Sequence, residues 1–71
     1  MKEIKIHTDY ITLGQFLKFI GVVSTGGEIK AFLVENVVFV NENMENRRGK
    51  KLFPGDLVVV LGQKYIVKAE C

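Results

Sequence analysis

The sequence predicts a single α+β domain, a two-helix hairpin packed on a small antiparallel sheet. Three observations predict it. The first half carries two Thr-x-x-Gln/Glu boxes, each opening a short apolar stripe at helical spacing. The second half switches to β-branched runs punctuated by glycine, asparagine and proline. The chain is 71 residues long, which leaves room for one core, since single domains usually run from about 50 to 200 residues.

The elements follow in order. Ile4-Lys5-Ile6-His7 alternates apolar and polar residues, a strand with the isoleucines on one face. Thr12-Leu13-Gly14-Gln15 has capping-box spacing, and Leu13, Phe16, Leu17 and Ile20 form one stripe before Gly21, a natural left-handed stop. This predicts a helix over Leu13 to Ile20. After the connector Val22-Val23-Ser24, Thr25-Gly26-Gly27-Glu28 repeats the box, and Ile29, Phe32 and Leu33 supply a second stripe that ends at Asn36. Two short helices so closely joined pack as a hairpin.

From Val37 the pattern is that of sheet. Val37-Val38-Phe39-Val40 is a strand ended by Asn41-Glu42-Asn43, and Pro54-Gly55-Asp56 is a type II corner in which proline sets φ and glycine takes the positive φ. Leu57 to Leu61 and Lys64 to Lys68 flank Gly62-Gln63, where a glycine at the first central position suits a type II′ hairpin. The phenylalanines, including Phe19 and Phe53, mostly fall in stripes or strands and are assigned to the core, so no exposed aromatic row is expected.

Composition narrows the function. At 48% hydrophobic and 25% charged the chain is an ordinary folding sequence, and its longest apolar run, Leu57 to Leu61, is far short of the roughly 20 residues a membrane-spanning helix needs. No signal-peptide pattern opens it, so a cytoplasmic location is expected. The one cysteine, Cys71, has no partner for a disulfide or a metal site, and the one histidine, His7, reads as a solvated strand residue. No nucleophile elbow, Walker loop or paired carboxylates are present. A binding module, not an enzyme, is expected, with no cofactor and no small-molecule substrate.

The positive charge is concentrated. Net charge is only +2, yet four of ten basic residues fall in Arg47-Arg48-Gly49-Lys50-Lys51, a segment with nothing apolar to bury. Lys18 and Lys30 lie on the polar faces of the two helices, and Ser24-Thr25-Gly26-Gly27 opens the second helix with backbone amides suited to an anion. Two glycines behind an N-cap cost up to about 1 kcal/mol each relative to alanine, which points to close approach of a ligand to the backbone.

The succession of helix, Gly21, Ser24-Thr25, helix, Val38-Phe39-Val40-Asn41 and Pro54-Gly55-Asp56 resembles the alpha-L RNA-binding domain first described in small-subunit ribosomal protein S4. The resemblance covers Ile11 to Val60. Ile11 to Lys18, Ser24 to Lys30 and Asn46 to Leu52 look like its small stand-alone bacterial branch, usually called YaaA/YbcJ-like. The resemblance implies an RNA-binding surface made by the two helices and the basic loop. Thr25 matches the hydroxyl at the start of the second helix, Lys30 a basic position on its exposed face, and Asn41 the asparagine that closes the strand. Arg47, Arg48, Lys50 and Lys51 match the basic loop of the branch. Gly26 stands where many alpha-L domains carry arginine, which substitutes a backbone contact for a side-chain one. Glu42 stands where the common pattern has glycine and adds a negative charge.

The expected site is therefore Lys18, Ser24, Thr25, Gly26, Gly27, Lys30, Asn41, Arg47, Arg48, Lys50 and Lys51. The expected partner is structured RNA, ribosomal or transfer RNA, or a ribosomal particle, bound by a monomer through its phosphates in ribosome assembly. The alternative is a protein-interaction adaptor whose basic loop meets an acidic protein.

Overall fold

Two hydrogen-bonded cap motifs organise the helical half of the computed structural model, which describes residues 1–70; the expectation for Cys71 lies outside the described residues. Helix α1 (Leu13–Phe19) starts at Thr12, whose hydroxyl accepts from the Gln15 amide while the Gln15 side chain accepts from the Thr12 amide. It ends on Ile20 with Gly21 at φ +84°. The Val22 amide donates back to the Leu17 carbonyl and the Gly21 amide to that of Lys18, the paired bonds of a Schellman stop. Helix α2 (Gly26–Glu35) has the same box built from Thr25 and Glu28, and closes at Asn36. Both helices match the sequence expectation to within one residue.

The sheet half is richer than expected. Strands β1 (Lys2–Ile6), β3 (Val38–Val40), β4 (Asn43–Met44), β6 (Leu57–Val60) and β7 (Gln63–Ala69) form one five-stranded sheet in the order β1-β7-β6-β3-β4. All neighbours are antiparallel except β1 and β7, which run parallel, so the sheet is mixed. A parallel pair needs a long crossover, and here nearly the whole chain, helices included, supplies it. A second ladder joins β2 (Ile11–Thr12) to β5 (Lys51–Leu52), two segments to which the sequence reading assigned no strand.

One sheet face carries Ile4, Ile6, Val38, Val40, Val58, Val60, Tyr65 and Val67, as period-two alternation and the observed register require. It closes on Leu13, Phe16 and Leu17 of α1, Ile29 and Leu33 of α2, Val23 and Leu52. Tyr65 meets the fully buried Phe16 edge to face, ring centroids 5.4 Å apart.

Three turns depart from the sequence reading or sharpen it. Val60 pairs with Gln63, so the β6–β7 loop is Leu61-Gly62, not Gly62-Gln63. Both residues have positive φ, +51° and +78°, which makes a type I′ turn and puts Leu61 in the left-handed region. Either register suits glycine; the one adopted sets Tyr65 opposite Val58 and so against Phe16. The β3–β4 loop, Asn41-Glu42, has the same form, with φ of +50° and +72°. Gly55, at φ +98° in a turn closed by the Asp56 amide on the Phe53 carbonyl, sits where a type II corner needs it.

Candidate nucleic-acid interface

The basic loop is held on the first turn of α1. The Leu13 amide donates to the Lys50 carbonyl at 2.8 Å and the Gly14 amide to that of Arg48 at 2.9 Å, so two amides that a helix start leaves without partners dock the loop. Gly14 permits the approach: a Cβ there would stand 3.1 Å from Ile29 Cδ1 and 3.4 Å from the Arg48 carbonyl oxygen. A further turn, the Lys50 amide on the Arg47 carbonyl, folds the loop on itself.

Helix α2 has the same capping box but a different first turn. The Ser24 and Thr25 amides both donate to Glu28 Oε1 at 3.0 Å, so these two, expected to be open, are taken by a carboxylate of the chain itself. The Gly26 and Gly27 amides find no protein partner among the described residues. Neither glycine has a positive φ, and a Cβ at Gly26 would meet nothing within 4 Å, at Gly27 only the Thr25 hydroxyl at 4.0 Å. Turn geometry and internal packing therefore leave both glycines unexplained. Arg48 joins this corner to the loop, its Nη1 donating to the Gly26 carbonyl at 3.4 Å.

The basic side chains divide into paired and unpaired. Arg47 is engaged: its Nε and Nη2 donate to the two Glu45 carboxylate oxygens at 3.0 and 3.2 Å, and its amide to one of them at 3.0 Å. The hydrogen bond from the Arg47 guanidinium is the main reason the Glu45 carboxyl is lowered from its ordinary 4.5 to about 2. The same contact raises Arg47. Lys18, Lys30, Arg48, Lys50 and Lys51 form no ion pair among the described residues. All but the half-buried Lys50 are exposed. His7 is exposed and lies 3.3 Å from Glu70 on another part of the surface.

Asn41 is at the β3–β4 turn with both ends of its amide in use. Its Nδ2 donates to Asp56 Oδ1 at 3.0 Å, and its Oδ1 accepts from the Leu57 amide at 2.9 Å. The structure thus gives Asn41 the task of tying two turns together.

Two aromatics assigned to the core are at the surface. Phe53 is 47% exposed and Phe19 59%. Phe53 packs on Tyr10 with ring centroids 5.6 Å apart, and Lys51 Nζ lies 4.9 Å from the Tyr10 ring centre, so an aromatic pair adjoins the basic loop. Phe53 directly before proline and two positions after Lys51 was the available sequence signal; Tyr10 gave none, because only the β2–β5 ladder brings it there.

The chain is similar to known proteins over most of its length. The family model described as S4 domain matches residues 4–68. A protein of Bacillus subtilis (strain 168) named "Probable ribosome maturation protein RlbA" is 52% identical over 59 residues, which is 83% of each of the two chains.

Proposed function

Because the chain belongs to the S4 domain family, we propose that it is a non-catalytic RNA-binding module that grips the phosphate backbone of structured RNA in the cytoplasm, in ribosome maturation. The observation that carries this reading is the corner where the open Gly26 and Gly27 amides meet the loop through Arg48. Amides at a helix start favour an anion, glycines allow a phosphate to come close, and Arg48, Lys50 and Lys51 add positive charge not taken up in ion pairs among the described residues. Lys18 and Lys30 extend the footprint along the helices. Arg47 and Asn41 act through shape, the first by folding the loop on Glu45 and the second by locking the turn beside Asp56. The ribosomal connection rests on the Bacillus relative, which is named as a probable ribosome maturation protein.

Sedimentation of a lysate through sucrose, with and without ribonuclease and at low and high salt, tests the reading. Migration with ribosomal particles that nuclease or high salt abolishes supports it, since a phosphate-reading contact weakens steeply with salt. Migration that survives nuclease would overturn it in favour of an acidic protein partner.

A further inference from the structure

Phe53 presents about half its surface to solvent, 47%, directly beside a cluster of cations. Its ring shares one depression with Arg47, Gly49, Lys50 and Lys51, so an aromatic face and phosphate-binding charge line the same concavity. Phe19 is more exposed but lines a separate groove with Ile4, Ile6 and Ile11, away from the basic loop. The position of Phe53 is fixed on both sides of its backbone. Its amide donates to Asp56 Oδ2 at 2.8 Å, its carbonyl accepts from the Asp56 amide at 3.0 Å, and Pro54 follows it. Tyr10 supports the ring from one side at an interplanar angle of 46°, and Lys51 sits over Tyr10. Tyr10 thereby carries a cation over its ring, while Phe53 keeps nearly half of its surface free.

We infer that Phe53, backed by Tyr10, is a stacking platform for one unpaired base of the bound RNA, with Lys51 holding a neighbouring phosphate. The inference rests on the RNA-binding reading above and adds to it the kind of RNA recognised. A base inside a duplex is already stacked on both faces; only a bulged, looped or terminal base can offer its face to a protein ring. Stacking is tolerant of base identity because every base has a π-face, so the platform selects an unpaired nucleotide and not a sequence. The Phe53 backbone is held by Asp56 and Pro54 and its ring is backed by Tyr10, so little ordering accompanies binding.

The test uses two short RNA hairpins, each closed by the same polyether linker in place of a nucleotide loop, one with a single bulged 2-aminopurine and one fully paired, titrated against the whole chain. The wild type is expected to bind the bulged hairpin about tenfold more tightly, within the range of one base on one aromatic ring, and to quench its fluorescence. Phe53→Leu keeps the apolar contact to Tyr10 but has no π-face; it should lose the preference and the quenching while binding the paired hairpin as before. Phe53→Trp should retain both. An unchanged preference in Phe53→Leu, or no preference in the wild type that still binds both hairpins, would overturn the platform and leave phosphate binding standing. No binding of either hairpin by the wild type would overturn both readings together.

Discussion

Asn41 and Phe53 are held by the two oxygens of one carboxylate: the Asn41 amide donates to Asp56 Oδ1 at 3.0 Å and the Phe53 backbone N–H to Asp56 Oδ2 at 2.8 Å. The β3–β4 turn, the Pro54-Gly55 corner and the start of β6 thus share one centre, because Asn41 also accepts from the Leu57 amide. Asp56→Ala strands the Phe53 N–H and one end of Asn41, and is expected to cost about 1–3 kcal/mol in urea unfolding. A loss below a few tenths of a kcal/mol would show that solvent replaces the carboxylate freely.

Glu42 and Leu61 occupy left-handed backbone, at φ +72° and +51°, that side chains with a Cβ adopt at a cost. Glu42→Gly turns Asn41-Glu42 into Asn-Gly, and Leu61→Asn turns Leu61-Gly62 into the same pair, the preferred type I′ sequence. Each is expected to raise stability by about 0.5–1 kcal/mol. Thermal unfolding of the two single variants and the double variant checks this. The two turns are separate, so the gains should add.

Gly27→Ala separates stability from binding. With open space around the site, alanine should strengthen α2 by up to about 1 kcal/mol through helix propensity. The added methyl stands where a phosphate would approach the amide, so affinity for ribosomal RNA should fall. A variant that is more stable and binds equally well would remove this amide from the interface.

The cations should differ in what they contribute. Arg48→Ala and Lys51→Ala are each expected to flatten the dependence of log K on log salt by about 0.7–0.9, the share of one phosphate contact. Arg47→Ala, whose guanidinium is already engaged by Glu45, should flatten it less. Filter binding to ribosomal RNA across a salt series distinguishes them, and equal slopes for all three would contradict the assignment of Arg47 to loop shape.

The Glu45 carboxyl, held down to about 2 by the Arg47 guanidinium, sets an acid limit on the loop. Its folded value lies below its ordinary 4.5, so its contribution is present above about pH 4.5 and is lost as pH falls through about 2. Protection of the Arg47 amide, which donates to Glu45 Oε2, should decline over that window in hydrogen exchange followed by NMR. Glu45→Gln should lower that protection at neutral pH and flatten its response to acid. Titration of the Glu45 carboxyl near its ordinary value would mean that the contact is not kept in solution.

Much of the local geometry around the candidate site could be read from the sequence, and the parts that could not share a cause. Thr25, Gly26 and Gly27 were legible because a capping box and its glycines lie within four residues. The exposure of the Arg47–Lys51 segment was legible because nothing in it can be buried. The engagement of the Ser24 and Thr25 amides by Glu28 follows from the same box, whose acidic member competes with an outside anion for them. By contrast, the Leu61-Gly62 register was ambiguous, since glycine serves either turn and only the contact of Tyr65 with Phe16 distinguishes them.

Local hydrogen bonds and hydrophobic period, which act over a few residues, determined from sequence alone the two helices, their caps and stops, the Pro54-Gly55 corner and the inward face of the strands. Tertiary structure decided the parallel pairing of β1 with β7, the β2–β5 ladder, the seating of the basic loop on the Leu13 and Gly14 amides, and the meeting of Tyr10 with Phe53. Each of these joins segments far apart in the chain. Such contacts depend on which surfaces remain unpaired once the core has closed, and no local pattern encodes that.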